Sequence, residues 1–208
     1  MDLTKEKINS LSKLPTGNVA DNNPTGYVLT SQIQSVNPKL HMIGRAFPVI
    51  CHPGDNLAIH EALHLAKEND VLIIDCDGYT EGGHFGDVMA NACKEKGLAG
   101  VVINGTCRDA QDIRELQFPV YARGYCPAPT TKLHHAEYPE EMILGKAIIR
   151  KGDLVFGDGD GVVIIPKEKE DEVMENACKK YDKEQIILQD LHAGRELWVL
   201  MHFDKIKE

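Results

Sequence analysis

The sequence has no long apolar run. Its longest apolar stretches, at residues 98–103 and 162–166, have the length of a strand and fall far short of the roughly 20 residues that a membrane-spanning helix needs. The chain starts Met-Asp-Leu-Thr-Lys-Glu-Lys and has no apolar segment behind this charged start, unlike a signal peptide. We therefore expect a protein that neither spans a membrane nor enters the secretory route.

The sequence also has no C-x-x-C pair. Its six cysteines are widely scattered, and several lie inside apolar runs, where a free thiol behaves as a small hydrophobic side chain. This usage predicts reduced cysteines and a cytoplasmic protein.

Basic residues are scarce relative to acidic ones. The chain has 32 Asp and Glu against 23 Lys and Arg, a formal net charge of −9. Because such a surface repels a phosphate backbone, we expect no nucleic-acid partner, although a local basic pocket for a small anion remains compatible with it. There is no internal repeat or low-complexity tract, and 208 residues suffice for one domain with a sizeable core.

The hydrophobic periodicity alternates between strand and helix patterns, which predicts one mixed α/β domain. An N-terminal helix at 2–14 precedes a break at 15–26, a core over about 40–166 and a C-terminal helical tail at 167–208. Predicted strands are 41–50, 71–75, 98–103, 119–123, 142–150, 154–156 and 162–165, and predicted helices are 55–69, 88–96, 110–116 and 167–191.

One candidate site joins Asp87 with Arg108 and Asp109. Asp87 starts a helix after a glycine-rich loop, and Arg108-Asp109 follows the next buried strand. Ligands of α/β folds collect where strands end and helices begin. The first-turn N–H groups near Val88 and Met89 and the Arg108 fork suit a carboxylate, and two aspartates suit Mg²⁺ or Mn²⁺.

A purely structural interpretation of the same residues stays open. Asp87 and Asp109 both stand where an N-cap is expected, and Asp109 with Asp112 resembles a capping box. Arg108 would then be an ordinary salt-bridge partner.

A second candidate is His60-Glu61-Ala62-Leu63-His64, which matches the H-E-x-x-H pattern of zinc peptidases. Two histidines four residues apart share a helix face, and a distant Glu such as Glu81 would have to be the third ligand. Lys67 and Asp70 stand where the extended motif has Gly and His. The alternative is a pair of surface histidines on an amphipathic helix.

Two further segments carry weaker signals. The run Gly82-Gly83-His84-Phe85-Gly86 lacks the Walker ending and the dinucleotide spacing, and it predicts a loop that lets backbone approach a small ligand. Asp158 and Asp160 lie in a Gly-Asp-Gly-Asp-Gly hairpin turn without the remaining acids of an EF-hand.

Taken in order, these motifs resemble the RraA-like family, which contains regulators of ribonuclease activity and 4-hydroxy-4-methyl-2-oxoglutarate/4-carboxy-4-hydroxy-2-oxoadipate aldolases. The similarity runs over about residues 44–166. The segments that carry it are Gly44-Arg-Ala, the Asp55-Asn56 helix, Gly86-Asp-Val-Met89, Gly97-Leu-Ala-Gly-Val-Val-Ile-Asn-Gly105, Arg108-Asp109, Phe118-Pro-Val-Tyr-Ala122 and Gly152-Asp-Leu-Val-Phe-Gly-Asp-Gly-Asp-Gly-Val-Val-Ile-Ile-Pro166.

The resemblance implies a single RraA-like domain over 1–208, a β/β/α sandwich similar to the swivelling phosphohistidine-like domain, that assembles into homotrimers or hexamers. It implies a metal-dependent aldolase that releases pyruvate from a 4-hydroxy-2-oxo acid, with oxaloacetate decarboxylation as a side activity. Asp109 would bind Mg²⁺ or Mn²⁺ directly and Asp87 through water. The pyruvate portion would be held by Gly86, Asp87, Val88, Met89 and Arg108.

The family's other branch implies a different function, a non-catalytic regulator that binds an RNA-degrading enzyme. That branch usually lacks the acid at position 87, so Asp87 favours the enzyme. Asn22-Asn23 after Asp21 and the tail at 198–203 depart from the family pattern. Relatives borrow an acid from a neighbouring subunit's C-terminal part, for which Glu184 and Glu196 are the candidates.

Overall fold

The computed structural model describes residues 2–203, which form one domain around a nine-stranded mixed sheet. Its strand order is β1-β11-β10-β3-β4-β6-β7-β2, with β5 paired to β6, and β8 and β9 form a separate small sheet. The strands are β1 Tyr27–Val28, β2 Gln34–Ser35, β3 Met42–Ile50, β4 Asp70–Asp75, β5 Gly83–Phe85, β6 Gly100–Cys107, β7 Val120–Tyr125, β8 Glu141–Leu144, β9 Ala147–Arg150, β10 Leu154–Asp158 and β11 Gly161–Ile165. The helices are α1 Lys5–Leu11, α2 Thr16–Asp21, α3 Leu57–Leu65, α4 Asp87–Glu95, α5 Ala110–Leu116, α6 Glu170–His192 and α7 Leu197–Leu200.

The centre of the sheet is the parallel block β3-β4-β6-β7. Its strands are continuous apolar runs because both faces are covered, and every residue of β6 is buried. Helices α3, α4 and α5 lie between these strands in the chain and pack on one face. The carboxyl ends of the parallel strands therefore meet at one edge, next to the helix starts.

The other face of the sheet packs against the β8–β9 hairpin, through Met142, Leu144, Ala147 and Ile149. A third apolar cluster joins α1, α2 and α6 to the antiparallel strands β10 and β11. The layers are thus small sheet, large sheet and helices, and the predicted mixed α/β sandwich is confirmed.

Residues 15–26 separate from the first helix as predicted, since α1 ends at Leu11, but they contain a second helix, α2, that the sequence did not predict. Pro15 supplies no side-chain cap to α2; instead Asp158 of the hairpin turn accepts from Thr16 N (2.8 Å) and Thr16 Oγ1 (2.7 Å). A cap 142 residues away leaves no local sequence signal. The same bonds explain the buried Asp158 as a structural turn residue.

Three other boundaries differ from prediction. The strand predicted at 142–150 is the hairpin β8–β9, because Gly145 takes a positive φ of 64° between them. The run 82–86, predicted as a loop, contains the short strand β5. The helix predicted at 2–14 is shorter and corresponds to α1, with Thr4 as its N-cap.

The C-terminal tail is helical, as predicted, over α6 and α7. Residues 204–208 of the predicted tail 167–208 lie outside the described residues, as does Met1. Within 2–203, no helix is long and apolar enough to cross a membrane.

Candidate active site

A cleft of about 200 Å³ opens at the carboxyl edge of the parallel strands, between β5–β6 and the start of α4. All of the residues that the sequence predicts for substrate and metal binding line it. They are Gly86, Asp87, Val88, Met89, Arg108 and Asp109. Residues 87 and 108 meet because two successive strand–helix units of a parallel sheet end at the same edge.

The amino terminus of α4 forms one wall of the cleft. Gly86, in an extended conformation, is the N-cap, so the interpretation of Asp87 as an N-cap is wrong: it is the first helical residue. The first intrahelical bond runs from Ala90 N to Gly86 O (3.0 Å). The N–H groups of Val88 and Met89 precede it and are therefore available to an anion.

Asp109 lies directly opposite this helix start. It has φ 55° and ψ 37°, a left-handed conformation that Asp tolerates better than most residues. Its carboxylate does not cap its own helix α5; Oδ2 accepts from Asp87 N (3.3 Å) and lies 3.4 Å from Arg108 Nε. The predicted capping box of Asp109 with Asp112 is therefore wrong, and the carboxylate faces the cleft.

Glycine at position 86 is required by this arrangement. A Cβ on Gly86 would lie 2.5 Å from Asp109 Oδ2, closer than van der Waals contact permits. The glycine-rich loop thus lets backbone approach the Asp109 carboxylate.

Asn56, to which the sequence pattern gives no functional role, also lines the cleft. Asn56 is 7% exposed; its Nδ2 donates to His84 O (3.0 Å), and its Oδ1 has no hydrogen-bond partner within the described chain. A buried acceptor without a partner is costly and marks a place where a ligand donor fits. Its position just before α3 looks, in the sequence, like an ordinary helix start.

His84 was also missed, because within a glycine-rich loop it carries no signal of burial. It is fully buried and lines the cleft. Its Nε2 accepts from Gly54 N (3.2 Å), which leaves Nδ1 as the protonated nitrogen, 3.4 Å from Thr106 O. Burial lowers the pKa of His84, although Thr106 and Asp55 oppose this, so the ring is neutral at physiological pH.

One wall of the cleft comes from residues 129–132, for which the sequence predicts neither a strand nor a helix. Pro129, Thr130 and Lys132 line the cleft there. His60 also lines the cleft. Its pKa is lowered because the ring is partly removed from water, and the positive charge of Lys132 lowers this pKa further. The cleft therefore has a second cation, Lys132, besides Arg108.

The H-E-x-x-H residues do not form a zinc site. His60 and His64 are exposed on α3, while Glu61 accepts from Ala136 N (3.0 Å) and from the ring of His135. Over residues 2–203, no group of three or more His, Cys, Asp or Glu side chains could hold a metal ion. The surface-histidine interpretation fits these positions better.

The cleft contains two carboxylates that suit a metal ion, those of Asp87 and Asp109. This donor set fits Mg²⁺, which is bound in proteins through one or two carboxylates while water and substrate oxygens fill its other positions. Because Gly86 has no Cβ, there is room beside it for the Asp109 carboxylate at the cleft.

Comparison with known proteins adds the family context. A family model named RraA-like, described as Aldolase/RraA, matches residues 16–164. A protein of Halalkalibacterium halodurans named "Putative 4-hydroxy-4-methyl-2-oxoglutarate aldolase" is 37% identical over 152 residues, which is 73% of this chain and 72% of that protein.

Two solved structures are similar in fold. An uncharacterized protein from Pseudomonas syringae superimposes with a TM-score of 0.82 at 21% identity, covering 97% of this chain and 99% of that one. The RNA-processing inhibitor RraA from Thermus thermophilis has a TM-score of 0.67 at 25% identity, covering 73% of this chain and 92% of that one.

Proposed function

The chain belongs to the RraA-like family, and from that premise we propose that it is a lyase, a divalent-metal-dependent pyruvate aldolase. It cleaves a 4-hydroxy-2-oxo acid similar to 4-hydroxy-4-methyl-2-oxoglutarate and decarboxylates oxaloacetate as a side activity. The observation that carries the proposal is the convergence of Arg108, Asp109 and the amino terminus of α4 in one cleft. The aldolase name of the 37% identical relative supports the reaction class.

The pyruvate portion of the substrate binds between α4 and Arg108. Its carboxylate accepts from the N–H groups of Val88 and Met89, where the helix dipole also favours negative charge. The Arg108 guanidinium donates to the same end of the substrate and places a fixed positive charge beside the C2 oxygen, where negative charge develops when the C3–C4 bond breaks.

Asp109 would hold the metal ion directly and Asp87 would hold it through water, with Mg²⁺ or Mn²⁺ as the ions that suit oxygen ligands. When bound, the metal supplies Lewis-acid stabilisation of that developing charge. Asp87 also positions the water that removes the proton from the C4 hydroxyl.

The leaving half of the substrate faces Asn56 and Lys132. The unpartnered Oδ1 of Asn56 accepts a hydrogen bond from the water that takes the C4 hydroxyl proton. Lys132 provides a cation for a second carboxylate, such as the one on 4-hydroxy-4-methyl-2-oxoglutarate. A Schiff-base mechanism needs a desolvated lysine, whereas Lys132 is exposed.

We also propose that the protein is a homo-oligomer, a trimer or a hexamer. Apolar side chains of the tail are exposed, including Ile186, Leu197 and Trp198. Ile186 and Leu197 line a cleft of about 900 Å³ between α6 and α7. The acids suggested for donation to a neighbouring subunit lie on this tail. Glu184 accepts from Asn18 Nδ2 (2.7 Å), and Glu196 precedes α7.

The proposal is tested by pyruvate release from 4-hydroxy-4-methyl-2-oxoglutarate and from oxaloacetate, with Mg²⁺ or Mn²⁺ and then with EDTA. We expect release that EDTA abolishes. Asp109→Ala should lose the activation by metal, whereas Asp112→Ala, an exposed acid on the same helix, should keep it.

Activation of Asp109→Ala by Mg²⁺ as strong as in the wild type would refute the ligand role.

The second candidate function, a regulator of an RNA-degrading enzyme, is favoured by the similarity to the Thermus RraA structure. It predicts no turnover of either 2-oxo acid and stable binding to a purified RNA-degrading enzyme.

A further inference from the structure

Residues 129–134 are called the wall segment, and within it positions 130–133 alternate between two environments. Thr130 and Lys132 line the cleft. Thr131 and Leu133 instead bond to Asp55, and Thr131 forms a parallel β-bridge with it. This period of two is that of extended backbone, so anchoring one set of residues directs the other set to the opposite side.

Asp55 is the centre of the anchored side. It is fully buried, and its Oδ2 accepts from Thr131 Oγ1 (2.6 Å) and Leu133 N (2.6 Å). Its Oδ1 accepts from Leu57 N (2.9 Å) at the start of α3. One carboxylate thus ties the first turn of α3 to a segment more than 70 residues later.

The charge of Asp55 strengthens these bonds. Burial by itself would raise the pKa of Asp55, but the hydrogen bonds from Thr131, Leu57 and Leu133 outweigh it and hold that pKa well below its ordinary value. His134 adds a partner, with Nδ1 3.5 Å from Oδ2. An ionised acceptor forms stronger bonds than a neutral one, so the wall segment is held firmly.

We propose that Asp55 is a positioning residue that keeps Thr130 and Lys132 facing the cleft and thereby sets its preference for substrates with a second carboxylate. The role in substrate preference rests on the proposed function. Lysine is a flexible cation, and a fixed backbone under Lys132 lowers the entropy lost when it pairs with a substrate carboxylate.

The Asp55→Asn variant distinguishes the bond to Oδ1 from the bonds to Oδ2. An amide oxygen in the Oδ1 position still accepts from Leu57 N, so the start of α3 is kept. An amide NH₂ in the Oδ2 position is a donor and faces the Leu133 N–H, which is a donor too. Thr131→Val is the milder second variant, since it removes only the bond from the hydroxyl.

The first experiment follows tryptic cleavage after Lys132 in the folded protein and needs no activity. We expect cleavage roughly tenfold faster in Asp55→Asn and a smaller increase in Thr131→Val, because proteolysis tracks local opening. The matched control is Asp153→Asn, another buried carboxylate, which accepts from Arg150 N (2.8 Å) and Lys167 N (3.1 Å) far from the wall segment. Cleavage after Lys132 at the wild-type rate in Asp55→Asn would overturn the proposal.

The second experiment compares two substrates, 4-hydroxy-4-methyl-2-oxoglutarate and 4-hydroxy-2-oxopentanoate, which lacks the second carboxylate. Asp55→Asn should raise KM about tenfold for the first and leave KM and kcat for the second within about twofold. An equal loss with both substrates would indicate general damage and contradict the specificity role. A wild-type protein inactive with both would refute the proposed function, while the cleavage rates still decide whether Asp55 holds the wall segment.

Discussion

Arg108 is the residue whose charge the proposed chemistry depends on most. It is half-exposed beside Asp109 and has no buried structural partner in the described chain other than that neighbour. Its place at the cleft is fixed by the backbone, since Arg108 N donates to Phe85 O (2.8 Å). The guanidinium is therefore free to meet a substrate carboxylate.

Arg108→Ala should reduce kcat for pyruvate release by about 10²–10³-fold, the range found when one donor to a developing oxyanion is removed. The free energy of unfolding should change little, because the side chain is half-exposed. Arg150→Ala, which removes an exposed arginine paired with Glu141, serves as the control. A variant that retains near-normal turnover would contradict the assignment of the cleft.

The buried ring of His84 makes the stability of the fold depend on pH. Because burial lowers its folded-state pKa, the unfolded chain binds a proton that the folded chain does not. The contribution of His84 to stability is complete above the unfolded pKa of about 6.5 and is lost as the pH falls towards the folded pKa.

We expect the free energy of unfolding to rise as the pH increases towards the unfolded pKa of about 6.5, with His84 contributing a slope of up to about 1.4 kcal/mol per pH unit. Urea unfolding of wild type and His84→Gln, followed by circular dichroism, measures this slope. The slope should decrease in His84→Gln and stay unchanged in His64→Gln, which alters an exposed histidine. Equal slopes in wild type and His84→Gln would show that burial does not control this titration.

Among the elements, helix α4 is the one whose amino terminus fixes the geometry of the site. Its N-terminal turn is capped by Gly86 backbone, and the carboxylate of Asp109 lies across it. The helix and the carboxylate can approach this closely only because position 86 has no side chain.

Gly86→Ala should therefore displace Asp109 and reduce metal-activated turnover by at least about tenfold, while the protein remains folded. Gly17→Ala is the matched control, since no atom lies within 4 Å of a Cβ there and the position is within α2. That change should leave turnover unaffected and stabilise the protein by about 0.5–1 kcal/mol. Full metal-activated turnover in Gly86→Ala would mean that the Asp109 carboxylate does not need the space that glycine leaves at position 86.

At the scale of the whole molecule, the proposed assembly depends on the C-terminal tail. Ile186, which lines the cleft between α6 and α7, is 61% exposed, and Trp198 of α7 is 60% exposed. Exposed apolar patches of this kind mark association surfaces.

We expect the wild type to sediment as a trimer or hexamer and Trp198→Asp to shift it towards monomer, because a charge would be buried in the interface. Sedimentation velocity at several protein concentrations measures the shift. Ile143→Asp, which places a charge at a residue 66% exposed on the β8–β9 hairpin, is the control and should keep the assembly. A monomeric wild type would refute the proposed oligomer.

The sequence alone was enough to predict the mixed α/β domain and the meeting of Asp87 with Arg108 and Asp109. Both follow from local patterns, because buried strands read as apolar runs and successive strand–helix units of a parallel sheet end at one edge. The directions in which the two aspartates point were not predictable in this way. Asp109 turns away from its own helix, since its left-handed backbone directs the carboxylate to α4.

Only the tertiary structure decided the bonds between distant segments. Asp158 caps α2, Asp55 holds Thr131 and Leu133, and Lys132 reaches the cleft, each through a contact made far along the chain. A periodicity or a capping motif reports on neighbours within a few residues. A side chain that bonds a segment more than 70 residues away leaves no such pattern, so its role becomes visible only when the chain has folded.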